Sequence, residues 1–425
     1  MKSIPKIAEV SGSVAVPPSK SITSRALLLA SMSEGSTTIV NPLVSDDSHY
    51  MLDAIRKSGF LVDGSLRKGE VVIGPRVTMS AGDVEIFVGN AGTAMRFLTG
   101  YLPFVPGRYL LTGEERMLER PIGDLVEALQ QIGAEIEYAD REGYPPVSIR
   151  GRKMRGGFHV TVSGRISSQF VSALMMGGAT LPHGLRLTVI DAVSRPYIAV
   201  TKGVMEAFGA RVLDEGPDQV RVEGGVLRCD RYEVEGDYSS ASYWFAAAAA
   251  TGGRIEVSGL RSDSLQGDRA FLDLLETLGC LIEWTNQGVR VEGAETLRGG
   301  RFDMNAMPDV VPTLAAIAPL AAEPVEIVNV ANLRVKESDR IAVLATELRK
   351  LGAIVDERPD GLRVEPGWND HPAVIDPHGD HRIAMSFAIA GLARGNVSID
   401  DERVVSKSYP GFWTALESLI GDHRM

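Results

Sequence analysis

The sequence predicts an α/β protein in which six copies of one helix–strand module form two pseudo-three-fold domains. Three observations predict it. Polar or glycine-bearing openings followed by small-residue helices begin near Ser19, Gly89, Ser167, Ser239, Pro308 and Asp380, at successive spacings of 70, 78, 72, 69 and 72 residues. That period of about 70 exceeds the 20–50 residues of solenoid repeats, so each copy must be a compact α+β module of its own. The third observation is size, because 425 residues exceed what one hydrophobic core usually serves.

The first module is the template. Ser19-Lys20-Ser21 opens a run whose apolar residues (Ile22, Ala26, Leu27, Leu29, Ala30) follow helical spacing, Gly35 closes it, and the β-branched Thr37-Thr38-Ile39-Val40 reads as a strand. Strand-like runs recur at the same place in the later copies: Arg108–Thr112, Leu185–Asp191, Arg254–Ser258, Val325–Val330 and Val397–Asp400. An amphipathic helix follows each. Five of these end at Gly59, Gly133, Gly209, Gly279 and Gly352, where glycine suits a left-handed cap, and the sixth runs out near Gly421. A strand-like piece over Lys6–Val16 precedes the first copy, so the N-terminus is expected to complete the other domain. The expected boundaries are one discontinuous domain over residues 1–17 and 237–425 and an inserted domain over 18–236, with crossovers near Pro17-Pro18 and Glu235-Gly236-Asp237.

Composition narrows the class. With 44% hydrophobic and 23% charged residues the chain reads as globular. The formal net charge of −11, with no basic cluster interleaved with aromatics, opposes nucleic-acid binding. The most apolar stretch, Val310–Ala322, is too short for a bilayer and contains Pro312 and Pro319, so no membrane partner is expected. Two cysteines, Cys229 and Cys280, and no signal or leader pattern fit a cytoplasmic setting. No HExxH, cysteine cluster, GxGxxG or GxxxxGK[ST] spacing occurs, so neither a metal nor a nucleotide cofactor is expected, and a monomer is the default.

The chemistry gathers at the helix openings. Lys20, Ser21 and Arg25 exceed what capping needs. Gly89-Asn90-Ala91-Gly92-Thr93 allows close backbone approach, with Arg96 and Arg120 after it. Helix N-termini attract phosphates and carboxylates, serines add donors, and arginine recognises either group with two parallel bonds. Ser167-Ser168-Gln169 fits an anion site or simple capping equally, whereas Ser239-Ser240 reads as capping alone. In Asn332–Arg340 (NLRVKESDR), five of nine side chains ionise. That segment is either a solvated cap with Ser338 as N-cap, or a site in which Glu337 exchanges protons beside Lys336 and Arg340. His381, between Asp380 and Arg382, is a proton shuttle or a polar opening.

SKSITSRALLLA, GNAGTAMR, ERPIGDL, SSQFVSALMM, SRPY, DYSSASYWFAAAA, MPD, NLRVKESDR, DHRIAMSFAIAGL and SKSYPGF run in this order from Ser19 to Phe412. Together they resemble the 5-enolpyruvylshikimate-3-phosphate (EPSP) synthase family of enolpyruvyl transferases. The resemblance implies βαβαββ units, three per domain, and an active site in an interdomain cleft. It implies transfer of the enolpyruvyl group of phosphoenolpyruvate to the 5-hydroxyl of shikimate 3-phosphate, through a tetrahedral adduct that then loses phosphate. Carried over by motif, Lys20, Ser21, Arg25, Ser167, Ser168, Gln169, Ser194, Tyr197, Asp309, Asn332 and Lys336 would hold shikimate 3-phosphate. Lys20, Asn90, Gly92, Arg120, Gln169, Arg340, His381, Arg382 and Lys407 would hold phosphoenolpyruvate. Asp309 would accept the 5-hydroxyl proton, Glu337 would move a proton at the methylene carbon, and Lys20 would assist both ligands. Phe97 departs from the family, many members having proline there on the helix behind the site of the herbicide glyphosate. The rival readings are the sister transferase acting on UDP-N-acetylglucosamine, which typically carries a loop cysteine, and a non-catalytic phosphometabolite sensor.

Overall fold

The computed structural model describes residues 1–77 and 82–421. The chain divides into two compact units, one over Pro18–Val234 and one made of Met1–Pro17 with the chain from Glu235 onward. Each has its own apolar core. Among the described residues no helix is long and apolar enough to cross a membrane.

In the unit Pro18–Val234 three four-stranded sheets share one plan. The sheet ordered Asp83–Phe87, Gly107–Thr112, Val147–Gly151, Glu135–Tyr138 has a parallel first pair and antiparallel neighbours thereafter. A parallel pair needs a crossover to bring the chain back in the same direction, and the helix Gly92–Tyr101 supplies it. The sheet ordered Phe158–Ser163, Leu185–Ile190, Gln219–Val222, Val212–Gly216 repeats the plan around the helix Ser168–Ala179. The sheet ordered Arg231–Glu233, Thr37–Val40, Glu70–Arg76, Phe60–Ser65 repeats it again.

The other unit contains a four-stranded sheet ordered Gly300–Asp303, Val325–Val328, Gly361–Val364, Val355–Arg358. A second holds Gly12–Ala15, Arg254–Ser258, Gly288–Glu292 and Leu281–Trp284. The third has three strands, with Lys2–Ile4 antiparallel to Val397–Ile399, which is parallel to Ala373–Ile375. Of the strand expected over Lys6–Val16 only Gly12–Ala15 forms, and a separate short strand, Lys2–Ile4, precedes it and joins a different sheet. Two strands are exchanged across the crossovers. Gly12–Ala15 leads into the helix Lys20–Met32 but pairs with Arg254–Ser258, and Arg231–Glu233 leads into the helix Tyr238–Thr251 but pairs with Thr37–Val40.

The small-residue helices form the interior because small side chains let backbones come close. A Cβ added to Gly177 would stand 2.1 Å from the carbonyl oxygen of Gly100, so the helices Gly92–Tyr101 and Ser168–Ala179 pack nearly backbone to backbone. In Tyr238–Thr251 every residue from Tyr238 to Ala249 is buried, as a helix without a polar face requires. The second helices of the modules are Asp46–Lys57, Gly123–Gln131, Pro196–Ala207, Phe271–Thr277 and Arg340–Lys350. All five glycines beyond their ends have positive φ, between 83° at Gly209 and 105° at Gly279. Capping differs from expectation at two openings. Asp237, not Ser239 or Ser240, accepts the backbone N–H of Ser240, and Asp339, not Ser338, accepts that of Ala342.

Candidate active site

In the unit that includes Glu235 onward, the starts of three chain segments bring charge together. Pro308–Val310 is a single tight turn carrying Asp309, with Pro308 placed where the missing N–H costs nothing. The segment before Arg340–Lys350 brings Lys336, Glu337 and Arg340, and the helix His381–Arg394 brings Arg382 with its cap Asp380. Arg340 is only 1% exposed and its guanidinium is the hub. Nε donates to Asp380 Oδ2 at 2.7 Å, Nη2 to Glu337 Oε2 at 2.9 Å, and Nη1 to Asp309 Oδ1 at 3.2 Å. Arg382 Nη2 donates to Asp309 Oδ2 at 2.9 Å, and Lys336 Nζ lies 3.8 Å from Asp309 Oδ1. Burial alone would raise the Asp309 carboxyl, but Arg382, Lys336 and Arg340 outweigh it and hold the group well below the usual carboxylate range. Burial would likewise lower Arg340, and Asp380, Glu337 and Asp309 more than reverse that. Asp309 is therefore a fixed anion while three cations face it.

The unit Pro18–Val234 holds a second polar cluster at its own helix openings. Lys20 Nζ lies 3.1 Å from Asp47 Oδ2, a carboxylate almost wholly buried in the first turn of Asp46–Lys57. Arg25, one turn further on, is buried. Its Nη1 donates to Ser21 Oγ at 2.6 Å and its Nε to Thr201 Oγ1 at 2.8 Å, and its guanidinium lies 5.0 Å from the Phe97 ring centre. Burial lowers its proton affinity, to a pKa of about 10, which still leaves it charged at neutral pH. Arg120 Nη1 donates to both oxygens of Asn90 at 3.0 Å, and a Cβ on Gly92 would stand 2.4 Å from Arg120 Nη2. A side chain there would have to push the Arg120 guanidinium aside. Gln169 Nε2 donates to Thr93 Oγ1 at 3.2 Å, which ties the third opening to the second, and Ser167 Oγ accepts the Gln169 N–H at 3.2 Å as an ordinary cap. Ser194 is buried and takes a left-handed φ of 54°. What both clusters offer is cations and donors at helix starts, suited to phosphate and carboxylate.

The family model for EPSP synthase (3-phosphoshikimate 1-carboxyvinyltransferase) matches residues 4–416. The chain belongs to the EPSP synthase family. The 3-phosphoshikimate 1-carboxyvinyltransferase of Methanoculleus marisnigri is 44% identical over 404 residues, 94% of each chain. That of a Sulfurovum species is 41% identical over 417 residues, 96% of this chain and 97% of the relative. Among solved structures, EPSP synthase from Acinetobacter baumannii matches with a TM-score of 0.79 and 27% identity, over 99% of this chain and 97% of the other. The enolpyruvyl transferase fold and the enzyme class, a carboxyvinyl transferase, follow, and the UDP-N-acetylglucosamine reading is not favoured.

Against that EPSP synthase frame the residues singled out from the sequence fall into two groups. Asp309, Lys336, Glu337, Arg340 and Arg382 are brought together by direct contact in one unit. His381, adjoining them, is buried with its Nδ1 3.7 Å from Asp380. Asn332 lies in the short helix Ala331–Val335, and Lys407 ends the short helix Glu402–Lys407; both are buried. In the other unit, Lys20, Ser21 and Arg25 share one helix start, Tyr197 offers its carbonyl to Arg25 at 3.3 Å, and Ser168 is buried. Asp47 and Asp380 were not among the site residues read from the sequence. Asp47 follows Ser45 and Asp46 and reads as one more first-turn acid complementing the helix dipole, and only the fold puts it against Lys20. Asp380 caps its helix through the Arg382 N–H at 3.0 Å, and nothing local tells that both its oxygens also take Arg340.

Proposed function

We propose that this family member transfers the enolpyruvyl group of phosphoenolpyruvate to the 5-hydroxyl of shikimate 3-phosphate. The observation that carries the reading is Asp309, a partly buried carboxylate faced by Arg340, Arg382 and Lys336. A simple anion receptor gains nothing by filling its cations with its own carboxylate, whereas a transferase needs a base at that point.

In the addition step, the 5-hydroxyl oxygen bonds to C2 of phosphoenolpyruvate, its proton passes to Asp309, and C3 gains a proton. Elimination then removes a proton from C3 and breaks the C2–O bond to phosphate. Glu337 is the group for C3, its carboxylate already aimed by Arg340. Arg340, Arg382, Arg120 and Lys407 take the phosphate and carboxylate of phosphoenolpyruvate. Ser167, Ser168, Ser194 and Lys20 take the 3-phosphate side with Gln169, Tyr197, Asn332 and Lys336, and Asn90, Gly92 and His381 line the phosphoenolpyruvate side. The geometry supplies a reason for ordering. While three cations hold Asp309 it is too weak a base, and substrate anions that draw Arg340 and Arg382 away raise its proton affinity as the acceptor hydroxyl arrives.

The test is phosphate release from phosphoenolpyruvate with shikimate 3-phosphate, for wild type and Asp309→Ala. Release that needs both substrates and falls about 10²–10⁴-fold in the variant supports reaction and base together. Wild-type release preserved in Asp309→Ala removes the base, and no release by folded wild type removes the reaction.

A further inference from the structure

Asp268 lies outside the residues used above and has no role in them. It sits in the single turn Gly267–Ala270 and is 4% exposed. Oδ2 accepts a hydrogen bond from Ser239 Oγ, and Oδ1 is buried with no hydrogen-bond partner among the described residues. A carboxylate buried with one oxygen unsatisfied is costly, and no ion pair with Asp268 occurs among the described residues to offset it. The charges that act on it are those of the site. Asp309 comes from the neighbouring turn Pro308–Val310, Asp237 from the cap of the helix Tyr238–Thr251, and Arg382 from the helix His381–Arg394. Asp273, on the helix that follows, is exposed. Since three cations fix Asp309 as an anion, the second acid is the one that holds the proton.

We propose that Asp268 is a positioning residue for the Asp309–Arg382 pair and works in its protonated form. As a neutral acid it adds no charge beside Asp309 and does not compete for Arg382. When it ionises, a second negative charge arises beside Asp309 and a second claim falls on Arg382, so the guanidinium is held back from the anionic substrate. Ser239 connects the acid to the helix interior. Ser242, whose Oγ donates to the Ser239 carbonyl at 2.7 Å, also lies 3.0 Å from Thr313 Oγ1, on the helix Val311–Ile317 that follows Asp309. Burial, and next Asp309, raise the Asp268 carboxyl to about 7, against which Arg382 and Ser239 act more weakly.

The experiment compares wild type, Asp268→Asn and Ser239→Ala. Its rate arm rests on the proposed transfer reaction; its stability arm does not. At saturating shikimate 3-phosphate, kcat/KM for phosphoenolpyruvate should fall in wild type between about pH 6 and about pH 8. In Asp268→Asn, which cannot ionise, the ratio of the two values should be about tenfold higher than in wild type. Ser239→Ala, which takes a donor from the ionised form, should move the wild-type fall to higher pH. Parallel profiles for wild type and Asp268→Asn, or a fall displaced downward in Ser239→Ala, overturn the proposal. The stability arm follows thermal unfolding of the ligand-free protein. An acid whose folded pKa is raised loses stability as pH climbs from the unfolded to the folded value, so the Tm advantage of Asp268→Asn should be larger at about pH 8 than at about pH 5. An advantage equal at both pH values overturns the protonated carboxyl. If that advantage grows with pH while no turnover is found, the reaction falls and the protonated acid stands.

Discussion

Arg340 shows how one buried side chain can matter to stability and function at once. It answers three carboxylates, and a buried ion network that loses its cation leaves uncompensated charge behind. Arg340→Met should cost about 3–5 kcal/mol by denaturant unfolding at neutral pH. That cost has a sign in pH. Carboxylates that lose a buried cation partner favour their neutral form, so the destabilisation is greatest at neutral pH and shrinks as pH falls toward the carboxylate range. A cost that stays constant from neutral pH down to about pH 4 would mean that packing, not charge, is what the arginine supplies. At this scale the sequence was legible where chemistry and position coincide, as in the crowded Asn332–Arg340 segment. It was silent where a residue matters only through a distant partner. Asp47 and Asp268 look like ordinary polar residues in their own stretches, and their roles arise from contacts with Lys20 and with Ser239.

Single elements were read well where one local force sets them. The strands Thr37–Val40 and Arg254–Ser258 appear at their expected bounds because β-branched residues end there against turns. Left-handed glycines end the second helices because any other residue pays for that conformation. The N-terminal piece was harder, since two strands of three and four residues carry too little alternation to reveal a break or to name their partners. Helix contacts were not legible either, and they make a prediction. Gly177→Ala adds a helix-favouring methyl, worth about 1 kcal/mol in isolation, but places it against the Gly100 carbonyl and 2.9 Å from the Phe104 ring. The clash should win, lowering stability by about 1–3 kcal/mol in chemical unfolding. A more stable variant would mean that the two helices can slide apart freely.

On the scale of the whole molecule the exchanged strands decide which pieces can stand alone. Every described strand of the sheets in Pro18–Val234 finds its partners within that span, Arg231–Glu233 included. A fragment of residues 18–234 should therefore unfold as one cooperative transition followed by circular dichroism. A fragment from residue 235 onward lacks Lys2–Ile4 and Gly12–Ala15 and should do so only when a peptide of residues 1–17 is added. Non-cooperative melting of the 18–234 fragment would show that its core depends on the remainder. The same exchange sets a timetable during synthesis. Gly12–Ala15 leaves the ribosome before the whole of Pro18–Val234 is made, yet its partner Arg254–Ser258 comes after it, and Lys2–Ile4 waits longer still for Val397–Ile399. The inserted unit can thus finish folding while the nascent leader stays unpaired. Two strands translated ahead of the inserted unit are thus among the last to be built in, and a pause in translation ahead of Arg254 would leave one finished unit trailing an open β-edge for chaperones to guard.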